Sequence, residues 1–192
     1  MDEILRIYLL SGLVVHKAVW EILKVRPETK NERTAKPGLN LPFLMKAAKI
    51  ILLMLFIFQI IFMAPVFPIS ENPEWIIRTG LFFYTLGLIL AITGRIQLGS
   101  SWANIEESQR TGEKKLVDRG VYRLIRHPIY TGDALLVLGL ELALNSWFFL
   151  IIFPLMGVIF DRARNEERIL AQSFPDYSSY QEHTKMFLPF IV

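Results

Sequence analysis

The chain has no cysteine, which excludes disulfides, thiolate metal sites and a cysteine nucleophile. None of its 11 glycines stand in a Gly-x-Gly arrangement, so a Rossmann-type dinucleotide loop has no sequence to build it. A formal net charge of +3 over 192 residues is too small to point to nucleic acid. Met1-Asp2-Glu3 is acidic where a secretory signal would be basic, and no cleavage site follows. The first apolar stretch is therefore expected to be retained as a helix. Internal repeats and low-complexity tracts are also missing.

What the chain does hold is apolar surface. Hydrophobic residues make up 53% of it and the mean hydropathy is +0.38, pointing to a bilayer as its solvent. Five apolar stretches stand out. Ile4 to Leu23 can cross a hydrocarbon core of ~30 Å. It carries Arg6, His16, Lys17 and Glu21, which should face other helices or lie near the ends. Lys24 to Leu41 is polar, interrupted by Pro27 and Pro37 with Pro42 just beyond, and is expected as a loop. The second span runs from about Lys49 to Pro65, and Pro65, Pro68 and Pro73 mark a short turn. Trp75 to Leu98 forms the third, with Trp75 where an interfacial anchor belongs. Ile129 to Leu144 and Trp147 to Phe160 are separated only by Asn145-Ser146, which predicts a tight helical hairpin. Nothing breaks the last helix at Asp161, so it should continue to about Gln172 before Pro175 stops it.

Positive charge gives the orientation. Lys24, Arg26, Lys30, Arg33, Lys36, Lys46 and Lys49 flank the first loop. Arg95, Arg110, Lys114, Lys115, Arg119, Arg123 and Arg126 fill the third, and Arg162, Arg164, Arg168 and Lys185 follow the last span. All of the 21 basic residues except Arg6, Lys17 and Arg78 thus fall on one side. The opposite loop holds Glu71 and Glu74. The expected protein is an all-α integral membrane protein of about five transmembrane helices, N-terminus outside and C-terminus cytoplasmic. Residues 1–98 would hold three helices and the basic loop, and residues 99–192 a hydrophilic loop, the hairpin, and a C-terminal helix and tail.

Because the last two spans form a hairpin, Lys114 to Tyr130 and Arg162 to Tyr180 return to the same face. Arg123 to Gly132 reads RLIRHPIYTG. Pro128 suits the first turn of a helix, where its missing N–H had no partner. The other free N–H groups of that turn could meet a ligand carboxylate or hydroxyl, and Tyr130 could stack on a flat ligand. Arg126 and His127 could equally anchor the span at lipid headgroups. Arg162 to Tyr180 reads RARNEERILAQSFPDYSSY, and on a helix Arg164 and Glu167 share a face while Glu166 points elsewhere. Alone, this would pass for a solvated helix with ordinary charge pairs.

Together and in this order, RHPIYTG, a hydrophobic hairpin, NEERIL and FPDYSSYQEHTKMFLPFI resemble the isoprenylcysteine carboxyl methyltransferases, and more loosely the phospholipid methyltransferases. The resemblance covers about Lys114 to Ile191. It implies that S-adenosylmethionine is the cofactor and that S-adenosylhomocysteine is the product left in the pocket. In that family the segment matching Lys114, Lys115, Leu116 and Val117, with Gly120, Val121 and Tyr122, wraps the cofactor. His127, Pro128, Ile129 and Tyr130 continue the pocket, and the glutamate matching Glu167 binds the cofactor. The arginine tied to the substrate carboxylate is matched by Arg164, with Arg162 a competing match. The resemblance further implies a pocket on the cytoplasmic face and a lipidated or amphipathic carboxylate as acceptor. The chain is shorter than eukaryotic members, which suits a compact prokaryotic relative in a cell membrane with its own substrate.

Such an acceptor carboxylate is ionised near neutral pH and needs no general base. Catalysis would rest on placement, with Arg164 orienting the nucleophile and Glu167 meeting the ammonium of the cofactor's methionine part. Rival readings are a phospholipid N-methyltransferase, a sterol-reductase-like oxidoreductase, and a scaffold whose basic loops meet anionic lipids. Asp133 and Glu141 lie eight residues apart within an apolar span, which could suggest ion transport but suits packing better.

Overall fold

A computed structural model describes residues 2–23, 41–99 and 116–189. Among these residues the fold is all-helical and no strand forms. Five long helices follow in order: α1 Asp2–Ile22, α2 Leu41–Phe62, α3 Glu74–Leu98, α4 Pro128–Ala143 and α5 Ile152–Ser173. A short α6, Tyr177–His183, closes the sequence of elements. Single 3-10 turns at Gly120–Arg123 and Trp147–Ile151 precede α4 and α5. Three of the five apolar stretches become α-helices within a residue or two of their expected limits, and the last begins with the Trp147–Ile151 turn before α5. α2 departs further, starting at Leu41 and so taking in Lys46 and Lys49. Pro42 falls in its first turn, where a proline costs no helix hydrogen bond.

The outward faces are apolar. Ile50, Ile51, Met54, Phe58, Phe82, Ile89, Phe153 and Val158 are all exposed, as expected of helices whose solvent is hydrocarbon. α3 is by itself long and apolar enough to cross a membrane, and α2 contains a shorter apolar stretch, Ile50–Phe62.

α3 and α4 form the spine of the bundle. The buried stripe of α3 runs Ile76, Gly80, Tyr84, Gly87, Ala91, Gly94, Leu98, alternating three- and four-residue steps along one face. Gly80 and Gly87 meet α4 backbone to backbone, and Gly94 faces the Pro128 and Ile129 side chains. A Cβ added at Gly80 would land in the Ala143 main chain, one at Gly87 in that of Leu136, and one at Gly139 of α4 in that of Tyr84. This close approach of small residues is how helices gain contact in lipid, where burial of apolar surface offers little drive. Beside the seam, Leu5, Leu9, Phe56, Ile60, Leu136 and Leu140 pack around Tyr84. The Tyr84 hydroxyl donates to the Leu9 carbonyl at 2.6 Å and so ties α1 to α3.

One end of the bundle is laced by its turns. Asn145, with φ of 54°, ends α4 and bonds the Ser70 backbone through both ends of its amide. Ser146 Oγ accepts from the backbone N–H of Val66 and of Phe148. Nearby, Gln59 of α2 donates to the buried Glu141 of α4 at 2.6 Å. Asp133 and Glu141 therefore serve packing contacts, Asp133 meeting His16 of α1 at 2.9 Å. A cavity of about 430 Å³ opens between α1 and α3 at this same end, lined by Ile4, Tyr8, Ile77 and Leu81 among others. The opposite end gathers the polar residues.

Candidate active site

At that end the first turn of α4 meets the second half of α5 and the segment after α6. On α5, Ile159, Ala163 and Glu167 form the buried face. Glu167 is thereby carried to Arg126 and His127, 41 and 40 residues earlier. Arg126 Nε donates to Glu167 Oε1 at 2.6 Å, and its Nη1 reaches the Gln181 and Thr184 carbonyls. His127 Nε2 lies 3.2 Å from the same Oε1. The Gln181 amide donates to Glu167 Oε2 at 3.1 Å. Burial would push the Glu167 carboxyl up, but the hydrogen bonds from His127 and Arg126, with their charges, outweigh it and hold it below the usual carboxylate range.

Glu166 occupies the neighbouring position. It hydrogen-bonds the Tyr130 hydroxyl, and its Oε2 stands 3.9 Å from His127 Nδ1. The imidazole thus lies between two carboxylates. Its ring stacks on Tyr130 at 5.5 Å and tilts against Phe187 at 5.8 Å.

The segment after α6 runs across the start of α4. Arg126 N–H donates to Lys185 O, His127 N–H to Met186 O, and the Thr131 hydroxyl to Phe187 O. The strap takes the N–H groups of the two residues just before the helix, not those of the turn that Pro128 opens. No side chain caps the helix at His127, and Ile129 and Tyr130 follow Pro128 in the turn whose N–H groups have no intrahelical acceptor.

Tyr122 packs with Leu98 and Ile129, and Val117 and Val121 lie against them. Its hydroxyl donates to Gly94 O, and its own carbonyl accepts from the Tyr180 hydroxyl at 2.7 Å. Gly120, with φ of 62°, makes the turn that brings Val121 N–H onto Gln97 Oε1 at 2.9 Å. Burial first, then the Glu166 charge, pushes the Tyr122 phenol up, so it stays a neutral donor. Burial and the Glu167 charge do the same to Tyr177, whose hydroxyl is buried with no hydrogen-bond partner among the described residues.

Of the residues expected from the sequence, Val117, Gly120, Val121, Tyr122, His127, Pro128, Ile129, Tyr130 and Glu167 gather around this junction. Leu116 begins the segment leading into it. Lys114 and Lys115 lie outside the described residues. Arg162 and Arg164 of α5 flank Ala163 in sequence and differ in exposure. Arg164 is exposed and lies over the Phe160 ring at 4.3 Å. Arg162 is half-buried, and its charge acts on Tyr130. Sequence reasoning did not single out Gln181, Thr184 or Tyr177. It treated Arg126 as a possible headgroup anchor, whereas the guanidinium is turned inward to Glu167. A carboxylate offers about four acceptor sites, and Glu167 uses three of them.

Comparison with known proteins widens the match. Residues 75–177 fit the family described as phospholipid methyltransferase. The chain is 31% identical over 147 residues to protein-S-isoprenylcysteine O-methyltransferase B of Arabidopsis thaliana, covering 75% of this chain and 73% of that protein. Against the protein-S-isoprenylcysteine O-methyltransferase of Schizosaccharomyces pombe, identity is 31% over 59% of this chain, which spans 49% of the yeast protein. The fold is that of the eukaryotic intramembrane Ras methyltransferase, isoprenylcysteine carboxyl methyltransferase. That likeness has a TM-score of 0.62 at 24% identity and covers 97% of this chain and 68% of the other. The likeness thus takes in α1 to α3, where the sequence alone offered only hydrophobicity. With the family match over more than half the chain and the plant relative alongside it, the chain belongs to the isoprenylcysteine carboxyl methyltransferase family.

Proposed function

We propose that this protein methylates the carboxylate of a lipidated or amphipathic acceptor, such as an isoprenylcysteine, using S-adenosylmethionine. The observation that carries this reading is the meeting of Arg126, His127 and Tyr130 with Glu166 and Glu167 at one end of an apolar bundle, in a chain of this family. The cofactor, when bound, supplies an electrophilic methyl group on a sulfonium. The acceptor carboxylate is ionised near neutral pH and attacks without a general base, so this chain's residues need only position and desolvate.

In this reading Glu167 takes the ammonium of the cofactor through its remaining acceptor site, while His127 and Arg126 keep the carboxylate ionised. Leu116, Val117, Gly120, Val121 and Tyr122 form one wall, and Pro128, Ile129 and Tyr130 another. Arg162 stands towards Tyr130 and Glu166, which supports it over Arg164 for orienting the acceptor carboxylate. The basic loops support a cytoplasmic position for this end of the bundle, with the Asn72 turn outside.

The family description also names phospholipids, and a lipid amine is the second reading. Membranes holding the overexpressed protein would be given methyl-labelled S-adenosylmethionine and a short farnesylated cysteine. Label in the analogue that mild base releases as methanol supports the carboxyl reading. Base-stable label in the phospholipid fraction would move the function to N-methylation.

A further inference from the structure

The site as described draws on α4, α5 and the segments around them, yet α1 reaches its back. His16, Trp20 and Leu23 follow at four- and three-residue steps and share a face of α1. His16 Nε2 lies 2.9 Å from Asp133 Oδ1, one turn beyond Tyr130 on α4. The His16 ring stacks on Trp20 at 4.2 Å and 25°. The Arg95 guanidinium lies 6.0 Å from the Trp20 ring while donating to Leu23 O at 2.7 Å. Trp20 itself packs against the cluster of Leu98, Tyr122 and Ile129 that backs the proposed cofactor wall.

Each contact fixes a different freedom. The His16–Asp133 hydrogen bond sets the rotation of α1 against α4. The Arg95–Leu23 bond sets how far α1 extends along α3. Trp20, stacked on His16 and neighboured by the Arg95 guanidinium, is held against the Leu98, Tyr122 and Ile129 cluster. Were Trp20 absent, Tyr122 would keep its bonds to Gly94 O and from Tyr180 but lose the surface behind it.

We infer that Trp20 and His16 are positioning residues for the cofactor pocket: α1 holds Tyr122 and Ile129 in place from behind, although it lies outside the residues matched by the family. The inference rests on the proposed cofactor reading. The test is calorimetric titration of S-adenosylhomocysteine into the purified full chain, with thermal unfolding of each variant measured alongside. Trp20→Leu and His16→Ala should each weaken binding roughly three- to tenfold. Trp20→Phe, which keeps a flat ring, should recover most of the loss. His16→Ala and Asp133→Ala should be non-additive, since they break one contact. Trp75→Leu, at the other end of α3, should bind as wild type. Wild-type affinity in Trp20→Leu overturns the inference and leaves the parent reading intact. Affinity that falls only in step with Tm, with no recovery in Trp20→Phe, overturns it too, by making α1 a general support. A wild-type protein that does not bind S-adenosylhomocysteine overturns both.

Discussion

Arg126 and Glu167 pair at 2.6 Å across 41 residues of chain, and the side chains of both are about nine-tenths buried. A buried pair of this kind is a weak source of net stability but is costly to break on one side. Arg126→Ala leaves Glu167 with His127 and Gln181 only, and should destabilise the protein by about 2–4 kcal/mol, read as a lower Tm. The double variant Arg126→Met/Glu167→Leu should lose less than the sum of the two single changes.

Glu167→Gln separates binding from folding. The shape is kept and Gln181 can still pair, but the negative charge proposed to face an ammonium is gone. Titration of S-adenosylhomocysteine should show affinity reduced by about 10- to 100-fold, as expected for one charge-assisted hydrogen bond. Unchanged affinity would assign Glu167 to holding Arg126 rather than to the ligand.

The lowered pKa of Glu167 makes a pH prediction with a definite sign. A carboxylate held below its unfolded value contributes stability above that value, about 4.3. The contribution is lost as pH falls through the folded one. The Tm difference between wild type and Glu167→Gln should therefore be level from pH 7 to about 5 and shrink below about 4. A difference that instead grew on acidification would contradict the pairing.

The arginines of α5 can be told apart by kinetics. Arg162→Ala should lower turnover with a carboxylate acceptor by about 10²-fold or more while cofactor affinity stays within about threefold. Arg164→Ala, which removes an exposed group lying on Phe160, should cost much less. The reverse order would return the acceptor role to Arg164.

Topology is open to a direct test because the chain has no cysteine of its own. Both Asn72 and Ser178 are exposed. Asn72→Cys should react with an impermeant thiol reagent added to intact cells, and Ser178→Cys only after lysis. The opposite pattern would place the proposed pocket on the outer face.

The helices were legible because long apolar runs bounded by proline and charge leave few alternatives in a bilayer. The hairpin followed from Asn145-Ser146, whose short polar break permits little else. The junction of RHPIYTG with NEERIL was legible as two motifs returning to one face. Its inner wiring was not. Arg126 looked like a headgroup anchor because an arginine before a span usually is one, and only the packing of α5 turns it inward. Two of the three guanidinium partners are the carbonyls of Gln181 and Thr184, and a carbonyl carries no sequence signature. Gly80, Gly87 and Gly94 stand seven apart, as do Gly132 and Gly139, but spacing alone cannot say which helix each row meets. His16 was expected to need a partner, and nothing in the sequence named Asp133.

The strap formed by Lys185, Met186 and Phe187 over the start of α4 has a bearing on biogenesis. These residues are translated after all five long helices, at about 5–20 residues per second. The helices can therefore enter the bilayer and associate before Arg126 and His127 find their acceptors. Membrane insertion and the gain of ligand-binding competence should be separate events in time. A ribosome stalled once α5 has emerged would hold a fully inserted bundle whose pocket is still unfinished.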